Sequence, residues 1–245
     1  MKIISVFNIK GGVGKTATAV NLAYTAAAEG NKVLLVDLDP QGASSFYFQL
    51  ENVENAKRII SGTSDLSKAV HDSGYANLEI LPASGDYRKM DVFLSNLKKE
   101  SSRWLSNFFK PVKKKYDYII LDCPPTISLY SENILRNSDL VLVPVIPTTL
   151  SVRTYDQLIS FCNESKIDRK KLHPFFSMYE MRKSLHNETI SEFVMMHKET
   201  LNVVIPFKSE VEKMGVYQAP YTARYPQSDI TYLYKELWKA TKKRL

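Results

Sequence analysis

No apolar run in this chain approaches the ~18 residues needed to cross a bilayer, so a membrane-spanning helix is not expected. The opening MKIISVFNIK carries too short an apolar stretch for a secretory leader, and no small-residue cleavage site follows it. Cysteine is scarce. Cys123 and Cys162 lie far apart and form no C-x-x-C pair, which argues against a disulfide framework or a zinc site. Internal repeats, low-complexity tracts and linkers are also missing. These absences leave one domain, residues 1–245, in a cytoplasmic setting. At 44% hydrophobic, a chain of 245 residues can bury a sizeable core.

Acidic residues are in deficit, and unevenly. The formal net charge is +7. Residues 1–100 hold 11 Lys/Arg and 11 Asp/Glu, whereas residues 101–245 hold 22 and 15. A basic half suits a polyanionic partner, nucleic acid or an acidic membrane, although a solvated basic surface gives the same count.

What is present is alternation. KIISVFNI, KVLLVDLD, LEILPA, YDYIILDCPP, DLVLVPV, HPFFSMY and LNVVIPF are apolar throughout, as parallel strands covered on both faces are. Between them lie helical stretches. KTATAVNLAYTAAAEG is rich in Ala and stopped by Gly30, and others fall near 86–114, 129–137, 151–165, 184–199 and 227–243. Strand alternating with helix predicts a doubly wound α/β fold, a mostly parallel sheet with helices on both faces. The first strand begins at residue 2, so no DNA-reading module is expected ahead of it.

Between the first strand and the first helix sits NIKGGVGKT. Gly11, Gly12, Val13 and Gly14 let backbone N–H groups converge on phosphate oxygens, and the helix N-terminus adds positive potential. Lys15 is placed to reach β- and γ-phosphates, and Thr16 to put its hydroxyl on Mg²⁺. The strict G-x-x-x-x-G-K-[ST] pattern is broken by Ile9 at its first position. Lys10 is a second lysine that a phosphate loop does not require.

KGGVGKT resembles the deviant Walker A motif of the ParA/MinD family of P-loop ATPases. VLLVDLDPQGASS is similar to that family's switch I, YDYIILDCPPTIS to its Walker B and switch II, and SMYEMRKSLHNETISEF to a ParA strand and helix. The likeness covers most of the chain, is weakest in residues 50–115, and is nearest to small ParA proteins without a helix-turn-helix domain. It implies that Lys10 crosses between two subunits that sandwich two ATP molecules, a cation delivered in trans. It also implies that Asp39 orients the attacking water and supports Mg²⁺. Asp122 would hold Mg²⁺ through water, with Asp37 a candidate behind them. Lys10, Lys15 and Asp39 thus form the expected catalytic set. Pro206 and Lys208 fall where relatives contact adenine, although Phe207 and Lys208 depart from the usual residues. Ala17 replaces a frequent second Thr, and its backbone N–H can still donate.

The resemblance further implies an ATP-dependent homodimer that binds DNA non-specifically on the nucleoid. A ParB-type or cargo-adaptor protein would stimulate its hydrolysis, and a plasmid, chromosome or protein assembly would be moved. The DNA candidates are Arg182, Lys183, Lys208, Lys213, Lys239, Lys242 and Lys243, with Arg244 beside them. Glu210 and Glu212 stand where relatives are basic, which shifts or weakens that surface. Lys110–Lys115 reads as a solvated helix end. The alternative is a MinD-like membrane-associated ATPase, with Leu233, Leu237 and Trp238 of the last helix on a bilayer. A last helix packed on the sheet is the preferred reading, so the membrane is not an expected partner. Three remoter readings are a tyrosine kinase, for the cluster Tyr217, Tyr221, Tyr225, Tyr232 and Tyr234, an iron–sulfur carrier, for which Cys162 is misplaced, and a metabolic ligase or synthetase of the same superfamily, for which nothing marks a small-molecule pocket.

Overall fold

Each predicted strand carries two sets of apolar side chains, because successive residues point to opposite faces. Leu34 and Val36 enter one hydrophobic core, while Val33 and Leu35 enter the other. Ile119 and Leu121 are likewise separated from Ile120, and Val141 and Val143 from Leu140 and Leu142. A sheet built this way must be covered on both faces.

The computed structural model describes residues 1–53 and 56–245. The chain runs β1 (Lys2–Val6), α1 (Lys15–Ala28), β2 (Val33–Asp37), α2 (Ala43–Tyr47), α3 (Lys57–Ile60), β3 (His71–Asp72) and β4 (Leu78–Leu81). It continues through α4 (Met90–Asn96), α5 (Trp104–Phe108), β5 (Tyr118–Asp122), α6 (Leu129–Asn137), β6 (Leu140–Val145), α7 (Thr149–Glu164) and β7 (Leu172–Tyr179). It ends with α8 (Ser184–Met196), β8 (Val204–Pro206), the single turns α9 (Ser209–Glu212), α10 (Met214–Tyr217) and α11 (Tyr221–Arg224), and α12 (Asp229–Lys242). The strands form one sheet in the order β3-β4-β2-β5-β1-β6-β7-β8. Every pairing is parallel except β3 with β4.

The parallel crossover from β1 to β2 carries α1 from the C-terminal edge of the sheet back to its N-terminal edge. α12 lies along α1 in the same direction. Asn21 of α1 accepts from Thr222 N–H (2.9 Å) just ahead of α12, and Trp238 Nε1 donates to Glu29 Oε2 (2.9 Å) just beyond the end of α1. The Trp238 ring also packs edge-on against Tyr118, the first residue of β5 (4.8 Å between centroids). The C-terminus of α12 therefore sits at the N-terminal edge of the sheet.

Two expectations need correction. The stretch 86–114 is not one helix: α4 and α5 are separated by a 3₁₀ segment, Lys98–Arg103, with all its residues outside the core. Lys98 takes φ +50° there, outside the right-handed helical region. The anchoring is tertiary instead, with the Trp104 indole donating to the Ile60 carbonyl (2.9 Å). The second correction is β3, a strand the pattern did not predict. Its two residues, His71 and Asp72, are both exposed and pair antiparallel to β4, so they carry no apolar signature. Among the described residues, no helix is long and apolar enough to cross a membrane.

Candidate functional site

The loop after β1 leaves the sheet at its C-terminal edge, where ligands of open parallel sheets bind. Asn8 fixes its start, donating from Nδ2 to the Pro144 carbonyl (2.8 Å) and accepting from Lys10 N–H (2.9 Å). Gly12 (φ +71°) and Gly14 (φ +85°) take left-handed conformations that a side chain would strain, and a Cβ on either would meet open space. The requirement there is conformational. Ser177 of β7 donates to the Val13 carbonyl (2.8 Å) and holds the loop from the far side.

The two lysines point to different places. Lys15 is 8% exposed, and its ammonium donates to the Lys10 carbonyl (2.9 Å). Burial lowers its pKa, opposed by the charges of Asp122, Cys123 and Asp39. The Lys10 ammonium instead donates to Ser151 Oγ at the start of α7 (3.0 Å).

Three carboxylates gather at the strand ends, and they differ. Asp37 is fully buried, and its Oδ2 accepts from both Ser45 N–H (2.8 Å) and Ser45 Oγ (2.7 Å). Burial, then the charge of Asp122, push it up to about 7. Asp37 anchors α2 and does not reach the cleft. Asp122, its in-register neighbour on β5, accepts from Ser44 Oγ (2.6 Å) on Oδ2. Burial pushes Asp122 up to about 6 against the Ser44 and Thr16 hydroxyls and the Lys15 charge, with Asp39 adding to the rise. Its Oδ1 is buried without a partner. Asp39 accepts from Gln41 N–H (2.9 Å) on one oxygen and lines the cleft.

That cleft is about 350 Å³. Gly11, Gly12, Gly14, Lys15, Thr16 and Ala17 line one end, and Pro206 and Lys208 the other, so the two groups of predicted contacts share one cavity. Val13 is buried beneath the loop, and Lys10 and Asp122 lie outside the cavity walls. Sequence reasoning missed the apolar wall: Tyr47, Met178, Val211 and Tyr234. Met178 takes φ +53° at an irregularity between β7 and β8, a cost of roughly 1–2 kcal/mol for a side chain of its kind, and no local pattern announces it. Ser44 and Ser45 were also missed as the tethers of α2. Their nearness to two strand-end aspartates is the signal that was available.

A magnesium ion fits these donors. The orphaned buried Asp122 Oδ1, the Thr16 hydroxyl and Asp39 offer oxygen only, and Mg²⁺ takes one or two carboxylates and leaves its remaining positions to water and phosphate. Consistent with that incomplete set, no three His, Cys, Asp or Glu side chains among the described residues form a metal cage.

The proposed DNA residues are not brought together. Arg182 and Lys183 follow β7, while Lys208 and Lys213 follow β8, all at the C-terminal edge. Lys239, Lys242 and Lys243 lie at the opposite edge, with the end of α12. Several are already paired: Lys183 with Glu180 (2.5 Å), Lys239 with Glu236 (3.5 Å) and Lys242 with Glu29 (2.5 Å). Leu237 and Trp238 are 0% exposed, so the apolar face of α12 is spent on the protein's own core. Of the tyrosine cluster, Tyr221 and Tyr234 are buried, and both cysteines are buried and free.

A family model described as an AAA domain matches residues 1–174. The sporulation initiation inhibitor protein Soj of Bacillus subtilis is 30% identical over 249 residues, which cover 97% of this chain and 97% of Soj. A Borrelia burgdorferi B31 protein assigned to plasmid partition, solved with AMPPNP, superposes with a TM-score of 0.80 at 21% identity, over 100% of this chain and 99% of that one. Cobyrinic acid a,c-diamide synthase of Mycobacterium smegmatis, solved with an ATP analog and magnesium, gives 0.82 at 23% identity, over 99% and 94%. At these identities the two structures speak for the fold alone. Because that fold serves both a partition protein and a synthase, the choice between activities rests on the sequence relatives, Soj and the chromosome partitioning protein ParA of Myxococcus xanthus, which is 30% identical over 213 residues covering 84% of this chain and 75% of that protein.

Proposed function

The chain belongs to the ParA-type family of P-loop partition ATPases, and from that premise we propose that it is a Mg²⁺-dependent ATPase that dimerises on ATP and binds DNA non-specifically. A ParB-type or cargo-adaptor partner accelerates hydrolysis, and the output is segregation of a plasmid or chromosome, or positioning of a cargo, over the nucleoid.

In this reading the loop N–H groups and Lys15 hold the phosphates, and the apolar wall with Pro206 and Lys208 receives the base. Thr16, Asp39 and Asp122 hold Mg²⁺, which supplies charge neutralisation of the transferring phosphoryl. Asp39 has an oxygen to spare beyond its bond from Gln41, and uses it to orient the attacking water. The observation that carries the proposal is the divergence of the two lysines. Lys15 sits in the chain's own cleft, whereas Lys10 lies outside its walls, against Ser151. An ammonium so placed is suited to a partner's phosphates, where it stabilises transition-state charge only once two subunits have met. Against the membrane-switch reading stands the burial of Leu237 and Trp238, two of the three tail residues offered to a bilayer; Leu233, the third, is half-buried.

The test is a DNA titration with ATP, with ADP and without nucleotide, at two salt concentrations, with oligomeric state measured alongside and Lys10→Ala run in parallel. DNA binding that needs ATP, falls steeply with salt and is lost with dimerisation in Lys10→Ala is the expected result. An unchanged ATP-dependent dimer in Lys10→Ala would remove Lys10 from the switch, and a wild type that binds no DNA in any state would overturn the DNA reading.

A further inference from the structure

Behind Asp39 lies a second cavity, of about 370 Å³. Asp39 and Pro125 line both it and the nucleotide cleft, so this pair forms the partition between the two. The turns that leave β2 and β5 make two of its walls, and residues beside the start of α4 make the third. Its backbone is poor in donors, because Pro40, Pro124 and Pro125 carry no N–H. The glycine loop on the front side is the opposite case. Whatever the rear cavity holds is therefore held by side chains.

Tyr130 is the side chain the fold keeps ready there. It is 3% exposed, and its hydroxyl is buried with no hydrogen-bond partner among the described residues. Its backbone N–H donates to Asp91 Oδ1 (2.8 Å), which ties the start of α6 to α4. Its ring is fixed between Trp104 (5.9 Å between centroids) and Tyr87 (6.2 Å). Burial, then the charges of Tyr87, Cys123, Asp37 and Asp39, hold the phenol well above its usual pKa. The hydroxyl is thus neutral, able both to donate and to accept, and within electrostatic reach of Asp39. A buried hydroxyl left unpaired is costly, and ordered water is the usual remedy.

We propose that the rear cavity is a hydrated chamber that feeds the attacking water to Asp39, and that Tyr130 is the positioning residue that holds the water chain in place. The proposal rests on the ATPase reading above, in which Asp39 orients that water, and adds where the water comes from. A bound water needs about two to four polar partners. Tyr130, Tyr87 and the Asp39 oxygen not used by Gln41 N–H supply them around one cavity. The route matters once nucleotide is bound. Nucleotide on the glycine loop fills the front cleft, and in the dimer of that reading a second subunit covers it, whereas the rear face of Asp39 stays open to the chamber. An anion is the poorer occupant, since Asp39 and Asp91 both line the cavity against one guanidinium, that of Arg88.

Tyr130→Phe is the test variant, because it keeps the ring and removes only the hydroxyl. Single-turnover hydrolysis of pre-bound ATP isolates the chemical step from product release. The dissociation constant for ADP and the urea midpoint are measured on the same preparations. Hydrolysis should be roughly five- to tenfold slower, the worth of one hydrogen bond to the water chain. ADP affinity should be unchanged, and the urea midpoint should be at or above that of wild type. A crystal structure of wild type with a non-hydrolysable ATP analogue should show an ordered water within ~3 Å of Tyr130 Oη, joined to Asp39 directly or through one more water. Hydrolysis as fast as wild type overturns the proposal, and so does a dry cavity. A slower rate matched by a lower urea midpoint or weaker ADP binding makes Tyr130 a packing residue and overturns it as well. A wild type that hydrolyses no ATP fails the prior reading instead.

Discussion

Asp37→Asn tests the electrostatics of the carboxylates at the strand ends. Asp37 and Asp122 are in-register neighbours on β2 and β5, and both are buried. Burial and the charge of Asp122 raise the Asp37 carboxyl to about 7, against 3.8 for the free side chain. Between those values the folded, nucleotide-free chain retains a proton that the unfolded chain has released. Raising the pH therefore favours unfolding, and the stability present below the unfolded value is lost as pH climbs through the folded one. From pH 5 to about 7, two units at ~1.4 kcal/mol each give a loss of about 3 kcal/mol from this group. Asn preserves the shape and can still accept from Ser45, but it cannot ionise. The variant should keep only the smaller slope of the same sign that Asp122, raised to about 6, contributes. Its one structural cost is the long bond from Asp39 N–H to Asp37 Oδ1 (3.3 Å). Urea denaturation at pH 5, 6, 7 and 8, in EDTA without nucleotide, reads this directly. The Asp37→Asn midpoint should overtake wild type as pH rises. Parallel pH curves for the two proteins would refute the argument that Asp37 is held protonated by its surroundings.

Two further substitutions separate chemistry from architecture. Asp39→Ala should leave nucleotide binding intact and stop turnover, trapping the ATP-bound dimer on a sizing column; normal phosphate release would take Asp39 out of the mechanism. Trp238→Ala removes a fully buried indole and its bond to Glu29, and should cost about 3–5 kcal/mol in a denaturation experiment. A loss below about 1 kcal/mol would mean that α12 is an appended tail and would reopen the membrane reading.

The phosphate loop, the strands apart from β3, and α1, α6, α7, α8 and α12 were legible in the sequence for one reason. Their signals are local: an apolar run, a helical period, glycines before Lys-Thr. Residues 86–114 failed because their helical pieces are set by contacts such as Trp104 to Ile60, far apart in sequence. β3 failed because an exposed edge pair has no pattern to read. Lys15, Thr16 and Asp39, which line the cleft, were legible through the motifs that carry them. Met178 and Tyr234 were not, because a bulge and a helix face reach the cleft only after the sheet has formed.

Charge shows the same limit from the other side. The sequence put the surplus of cations in residues 101–245, but a count along the chain has no edges. Read as one set, Arg182, Lys183, Lys208 and Lys213 belonged with Lys239, Lys242 and Lys243, and Lys113–Lys115 was a helix end. In the fold, the parallel sheet sorts them by whether they follow a strand or precede one. Those that follow β7 and β8 share the nucleotide edge with Glu210 and Glu212. Those that precede β5 and β7 meet the end of α12 on the other edge, with Asp117, Glu164 and Asp168 beside them.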